Sequence, residues 1–180
     1  MSSAIFLDRD GVLNMPEIKN GRSYAPRTLE QFVFFKEAKE ALLSLKRAGF
    51  LLFVVTNQPD VGHGLIDMTI MQQMHEQTFS ELLIDDLEAC YHRQDEDCLC
   101  RKPRAGMLKA LIGRWKVDVS RSYMVGDRWS DVTAGKMAGC KTIFIDYKYD
   151  EKMMDQPDFV VKTLVQAVNI IIQNTIQSGK

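Results

Sequence analysis

Along the chain, short runs of apolar and β-branched residues alternate with longer stretches in which apolar residues return every three to four positions. That alternation is expected of a parallel sheet. Its strands are buried on both faces and carry continuous apolar runs, and each parallel connection needs a crossover helix. The runs predict strands over Ala4–Leu7, Phe50–Val55, Leu87–Tyr91, Tyr123–Val125, Thr142–Ile145 and Phe159–Val161. Helices are predicted over Glu37–Ala48, where Ala38, Ala41, Leu42 and Leu45 share one face ahead of Gly49, and over Thr69–Leu83, Ala105–Trp115 and Leu164–Ile176. With no internal repeat and no low-complexity linker, the pattern points to one α/β domain over residues 1–180, a parallel sheet with helices on both faces. The segment Met15–Gln31, with Pro16, Gly21 and Pro26, is too long and polar for a plain connection and is expected to lie as a loop over something.

Composition narrows the class. The chain has 180 residues, 46% hydrophobic and 26% charged, and buries roughly 70% of its unfolded surface on folding, so one core can form without disulfide staples. With 23 Lys+Arg against 24 Asp+Glu the net charge is -1, and no basic stripe marks a nucleic-acid partner. The apolar run at Ala4–Leu7 is too short for a signal peptide, and no stretch approaches the ~20 apolar residues of a membrane span. A cytoplasmic protein without a membrane partner is expected. In that reducing compartment the four cysteines read as thiols or metal ligands. Cys140 stands apart and reads as core, whereas Cys90, Cys98 and Cys100 crowd together.

In an open parallel sheet, ligands bind at the carboxyl ends of the strands. There the first strand is followed by Asp8-Arg9-Asp10-Gly11-Val12, the second by Thr56-Asn57-Gln58, and the fourth by Gly126-Asp127-Arg128-Trp129-Ser130-Asp131, while Arg101-Lys102-Pro103 precedes a predicted helix. Each has an ordinary explanation: Asp-x-Asp-Gly as a turn, Thr56 or Asn57 as a helix cap, Lys102 as a solvated charge, Asp131 in the first turn of a helix. Four such groups at one edge of a sheet fit phosphoryl transfer better than coincidence. Phosphate monoesters hydrolyse so slowly that accelerations up to about 10²¹ are required, and several groups must act together. A carboxylate can split the reaction through an aspartyl-phosphate. A hard cation such as Mg²⁺ relieves the repulsion between carboxylate and phosphate, and a lysine completes the charge compensation.

These four motifs resemble those of the haloacid dehalogenase (HAD) superfamily of phosphatases in order, spacing and strand context, over nearly the whole chain. The resemblance implies a Rossmann-like (HAD-like) fold, with Asp8 as nucleophile and Mg²⁺ ligand and Asp10 as general acid and then base. Asp10 would also bind the metal through its backbone carbonyl. Likewise Thr56 and Asn57 would hold phosphoryl oxygens beside Gln58, Lys102 would neutralise charge, Asp127 would ligate Mg²⁺ and Asp131 would orient the metal's waters.

Cys90-Tyr91-His92 followed by Cys98-Leu99-Cys100 supplies three thiolates and one imidazole, the donor set of a closed structural zinc site. The alternative is a set of solvated surface residues. Directly before Arg101-Lys102, a zinc would pin the loop that aims both cations. The arrangement resembles one branch of the superfamily, which contains D,D-heptose 1,7-bisphosphate phosphatases and histidinol-phosphate phosphatases and lacks large cap domains. It implies that substrate is enclosed by short loops at Asn14–Arg27, Pro59–Gly64 and the zinc loop, and that Arg101 contacts a distal part such as a second phosphate.

Two substrates stay open. The stretch from Thr56 to Gly64 resembles the heptose enzymes and favours release of the 7-phosphate of a heptose 1,7-bisphosphate on the way to a heptose-containing glycan such as lipopolysaccharide. The short interval from His92 to Cys98 resembles the histidinol-phosphate enzymes. A non-catalytic sugar-phosphate binder and a DNA 3'-end phosphatase are further alternatives, disfavoured by the intact carboxylate and lysine set and by the charge balance. A monomer is expected. His63 could touch substrate, His75 reads as a helix residue, and Trp129 either covers the metal side of the pocket or packs beneath it.

Overall fold

The structure, a computed structural model, describes residues 2–19 and 22–178. Six parallel strands form the main sheet: β1 (Ala4–Leu7), β4 (Leu51–Asn57), β5 (Asp86–Cys90), β6 (Tyr123–Gly126), β7 (Lys141–Ile145) and β8 (Phe159–Val161), in the order β5-β4-β1-β6-β7-β8. All four residues of β1 are fully buried, which is why this strand reads as an unbroken apolar run. Side chains alternate across the pleat: Ile5, Leu7, Leu52 and Val54 enter one core layer, and Ala4, Phe6, Phe53 and Val55 enter the other.

The first layer is closed by α1 (Ala38–Arg47) and α6 (Leu164–Ser178), through Leu42, Leu45, Ala167 and Ile171 among others. The second is closed by α4 (Gly106–Trp115) and α5 (Trp129–Ala138), through Met107, Leu108, Leu111 and Ala134. α3 (Met68–Glu81) starts at Asp67, whose side chain accepts from the Thr69 N–H at 2.7 Å, and packs Met71 and Met74 on Phe32 and Ile66. None of the helices among the described residues is long and apolar enough to cross a membrane.

Three differences from the sequence expectation have physical causes. Part of the segment expected as a loop is an antiparallel hairpin, β2 (Glu17–Lys19) with β3 (Arg22–Tyr24). Its described residues bury no apolar face, so no apolar alternation announces it, and Gly21 lies outside the described residues. A single turn, α2 (Pro59–Gly62), replaces the loop after β4, with Pro59 at its first position. α5 was not among the predicted helices because its buried face carries Asp131 and Gly135 alongside Val132 and Ala134, leaving no apolar period to read.

The topology fixes the site. β1 lies between β4 and β6, and Leu7 pairs with both Val54 and Val125. Asp8, Thr56 and Asp127 therefore emerge from three adjacent strands within one residue of the same level, where the sheet's winding reverses.

Candidate active site

At this edge Asp8 follows β1, held by its N–H to the Val125 carbonyl at 2.9 Å. One of its oxygens, Oδ1, accepts from the Arg9 N–H at 2.8 Å and from Lys102 Nζ at 2.9 Å. Lys102 is 2% exposed. Its Nζ also meets Asp131 Oδ1 at 2.7 Å and donates to the Val55 carbonyl at 2.7 Å, so the ammonium is set among oxygens from the end of β1, from β4 and from α5. The lysine backbone is clamped by Asn57, whose side chain donates to the Lys102 carbonyl and accepts from its N–H, both at 3.0 Å.

Asp131 stands at the third position of α5. It accepts from the Arg128 N–H at 3.0 Å while its own N–H donates to the Arg128 carbonyl at 3.0 Å, a reciprocal cap that fixes the carboxylate. Two glycines let these carboxylates approach. Gly11 has φ +91°, and a Cβ there would lie 2.1 Å from Asp127 Oδ2; a Cβ on Gly126 would lie 2.2 Å from the Asp131 Cβ.

Oxygens of Asp8, Asp127 and Asp131 all lie within 4.8 Å of one another. Burial and the neighbouring Asp131 and Asp10 push the Asp8 carboxyl up to about 7, against the pull of Lys102. Asp127 is held well above the usual carboxylate range by burial and by the charges of Asp8 and Asp131. Burial pulls the Lys102 ammonium down, but Asp131 and Asp8 more than reverse it, to about 12. The Tyr149 hydroxyl lies beside Asp127 without completing a hydrogen bond of good geometry, and both Asp127 oxygens are buried without a partner among the described residues. Buried carboxylate oxygens in that state can hold a hard cation.

Asp10 faces a different set of groups. Its carboxylate accepts from Arg9, Asn14 and Gln58, and it lines a cavity of about 590 Å³ together with Asp8, Asn57, Arg101, Lys102 and Asp131. Thr56 is buried, and its hydroxyl accepts from the Gln58 amide at 2.8 Å. Gln58, expected beside the substrate, is instead 1% exposed, and its amide donates to Asp10 and Thr56. The side chain is turned to these two acceptors and does not line the cavity. Trp129 lines the cavity. His63 bonds Gln94 at 2.7 Å, and His75 bonds the Tyr91 hydroxyl at 2.9 Å.

At the end of β5, ligand atoms of Cys90, His92, Cys98 and Cys100 also gather within 4.8 Å. The Cys90 and Cys98 sulfurs are 3.7 Å apart and the Cys100 sulfur lies 3.2 Å from His92 Nδ1. A tetrahedron with Zn–S bonds of about 2.3 Å has edges near ~3.8 Å; the Cys90–Cys98 edge matches it, the Cys90–Cys100 edge at 3.1 Å is shorter, and the donors are those that zinc takes. Arg9, Asn14 and Tyr149 were not singled out from sequence. The charged residue between the two aspartates of the first motif was the available signal for Arg9.

A cavity that gathers three carboxylates about one lysine can hold a phosphoryl group and a cation together, which in a parallel-sheet hydrolase is the plan of a phosphatase. Residues 99–167 match the HAD-hydrolase-like family. The chain is 38% identical over 152 residues to a D-glycero-beta-D-manno-heptose-1,7-bisphosphate 7-phosphatase of Pasteurella multocida, covering 78% of this chain and 79% of that protein. It is 31% identical over 183 residues to the protein of the same name from Rhodopseudomonas palustris, covering 95% of each. Among solved structures it resembles the D,D-heptose 1,7-bisphosphate phosphatase of B. bronchiseptica complexed with magnesium and phosphate, with a TM-score of 0.83 at 25% identity over 96% of this chain and 99% of that one. The chain belongs to the HAD-like phosphatase family and is a phosphoric monoester hydrolase.

Proposed function

We propose that the enzyme removes the 7-phosphate of D-glycero-D-manno-heptose 1,7-bisphosphate through a phosphoryl-Asp8 intermediate. The observation that carries the chemistry is Lys102 Nζ, held at 2.9 Å from Asp8 and 2.7 Å from Asp131 on the cavity floor. An Asp8 oxygen attacks phosphorus and the bond to the leaving oxygen breaks, while Asp10 delivers a proton to that oxygen. Asp10 then takes a proton from water as the water oxygen attacks phosphorus and the bond to Asp8 breaks, releasing inorganic phosphate. Lys102 compensates charge on the transferring group throughout, and the Thr56 hydroxyl, accepting from Gln58, has its own proton to offer a phosphoryl oxygen.

Asp8 and Asp127, with the Asp10 carbonyl, would hold Mg²⁺, and Asp131 would orient its waters; the unpartnered Asp127 oxygens and the all-oxygen donor set fit that ion. When bound, Mg²⁺ screens the repulsion between carboxylate and phosphoryl oxygens. Cys90, His92, Cys98 and Cys100 would hold zinc in a structural role. The four free cysteines accord with a reducing cytoplasm.

Substrate choice rests on the relatives and on Arg101. Of the arginines lining the cavity, Arg27 pairs with Asp60 at 2.6 Å and Arg128 pairs with Glu151. Arg101 has no carboxylate partner among the described residues, and its buried Nη1 has no hydrogen-bond partner. It is therefore the cation placed to receive a second phosphate.

The test is phosphate release with Mg²⁺ from both anomers of the heptose bisphosphate, histidinol phosphate, other sugar phosphates and a 3'-phosphorylated oligonucleotide. The heptose bisphosphate should show the highest kcat/KM. A higher value for histidinol phosphate or the oligonucleotide would overturn the substrate, and no turnover of any ester would leave a binder in place of an enzyme.

A further inference from the structure

We infer that Gln58 is a positioning residue for Asp10, working with Arg9 and Asn14. The Gln58 amide nitrogen donates to Asp10 Oδ2 at 2.6 Å and to Thr56 Oγ1 at 2.8 Å, so both of its hydrogens end on groups of the site. Its backbone is fixed as well, since the Gln58 N–H donates to the Cys90 carbonyl at 2.7 Å. On the other side, Asn14 donates to Asp10 Oδ1 at 2.9 Å, and Arg9 reaches Oδ1 through Nε at 3.2 Å and Oδ2 through Nη2 at 3.1 Å.

Arg9 is unusual in its own right, because its side chain is fully buried. The guanidinium lies over the Phe32 ring at 5.0 Å, its Nη1 donates to Met71 Sδ at 3.2 Å, and Asp10 is its one carboxylate partner among the described residues. A cation sealed among apolar groups holds its counter-ion firmly. Asp10 is thus gripped from the turn after β1 and from the residue just ahead of α2, and no rotation of its side chain keeps all of these bonds.

Resting on the reading of Asp10 as acid and base, this grip has a kinetic consequence. The same carboxyl must meet the leaving oxygen in the first half-reaction and the attacking water in the second, so losing its orientation impairs both proton transfers. General acid–base catalysis contributes about 10²- to 10⁴-fold, and losing orientation alone should forfeit about 10- to 100-fold of it. An aryl ester needs no proton on its leaving group. For such an ester, kcat/KM, which reports the steps up to formation of the adduct, should be nearly unchanged.

The experiment compares wild type, Gln58→Met, Gln58→Glu and Asp10→Asn, as full chains with Mg²⁺, on a sugar phosphate and on p-nitrophenyl phosphate. Gln58→Met keeps the volume and removes the donor. It should lower kcat/KM for the sugar phosphate about 10- to 100-fold and for the aryl ester less than about threefold. It should also reveal a burst of one p-nitrophenolate per enzyme, because hydrolysis of the adduct has slowed. Gln58→Glu, which sets a carboxylate against Asp10, gives a second reading of the same split should Gln58→Met fail to fold. An equal loss on both esters without a burst, or wild-type rates on both, would overturn the inference. If Asp10→Asn itself gives neither split nor burst, the acid–base assignment fails; if it gives both and the Gln58 variants give neither, only the positioning role fails.

Discussion

Stripped of divalent cations, the enzyme should become more stable at neutral pH when Asp8 is replaced by Asn. In the fold, burial and the nearby carboxylates raise the Asp8 carboxyl from 3.8 to about 7. At roughly 1.36 kcal/mol per pH unit, ionising it inside the protein costs about 4 kcal/mol more than in the unfolded chain. The sign follows from the protons bound. Below about pH 4 both states are protonated and Asp8 contributes no difference. Between about 4 and 7 the unfolded chain gives up its proton while the folded one keeps it, so stability falls with rising pH; above about 7 the full penalty applies. Asn carries no charge and still offers an oxygen to the Arg9 N–H and to Lys102, which keeps Asp131 at 2.7 Å.

The value of about 7 already includes the pull of Lys102, so the gap should approach about 4 kcal/mol, or roughly 8 to 16 °C in Tm for a chain of this size. Thermal melts in EDTA at pH 5, 6, 7 and 8 check it: the gap between variant and wild type should open up to about pH 7 and then stay constant. Mg²⁺ should narrow it by stabilising wild type more than the variant. A variant less stable at every pH, or a gap indifferent to pH, would refute the charge-crowding account. Sustained turnover by a clean Asp8→Asn preparation would refute the nucleophile assignment.

Gly11→Ala should cost about 3 kcal/mol and abolish turnover, since it combines a left-handed backbone with a Cβ 2.1 Å from Asp127 Oδ2; denaturant unfolding and phosphate release measure both. Cys98→Ala should release zinc, read by elemental analysis against wild type purified without chelator, and lower Tm before any specific loss of chemistry. Arg101→Ala should raise KM for a sugar bisphosphate about tenfold and leave KM for a small monophosphate within about twofold, as expected from removing one charge-assisted contact. EDTA should stop phosphate release while the far-UV circular dichroism stays that of the folded protein.

The sheet was legible because two-sided burial writes itself into sequence: Ala4–Leu7 and most of Leu51–Asn57 are uninterrupted apolar runs. The site was legible for a related reason, since polar groups at the ends of such runs stand out against them. Elements whose buried face is polar or small did not show. α5 buries Asp131 and Gly135, and the β2–β3 hairpin has no apolar stripe. Gln58 was found by position but not by contact, since an amide beside two polar residues reads as a substrate ligand until its burial is known. Tyr149 carries no signal at all, because only the fold brings the segment after β7 beside Asp127.

The chemistry follows from an imbalance of charge. Three buried carboxylates share one ammonium, and among the described residues Lys102 pairs with Asp8 and Asp131 alone, so the deficit left around Asp127 is the size that one divalent cation balances. An incoming phosphate then brings further negative charge into a cavity where Arg27 and Arg128 are already paired and Arg101 has no carboxylate partner among the described residues. Arg101 and Lys102 lie on the segment that directly follows Cys100, and Asn57 clamps the Lys102 backbone from β4. The cysteine cluster therefore needs no part in bond breaking to govern the rate. Holding that segment still decides where two cations point, and a small error in either would cost more than the loss of a surface contact.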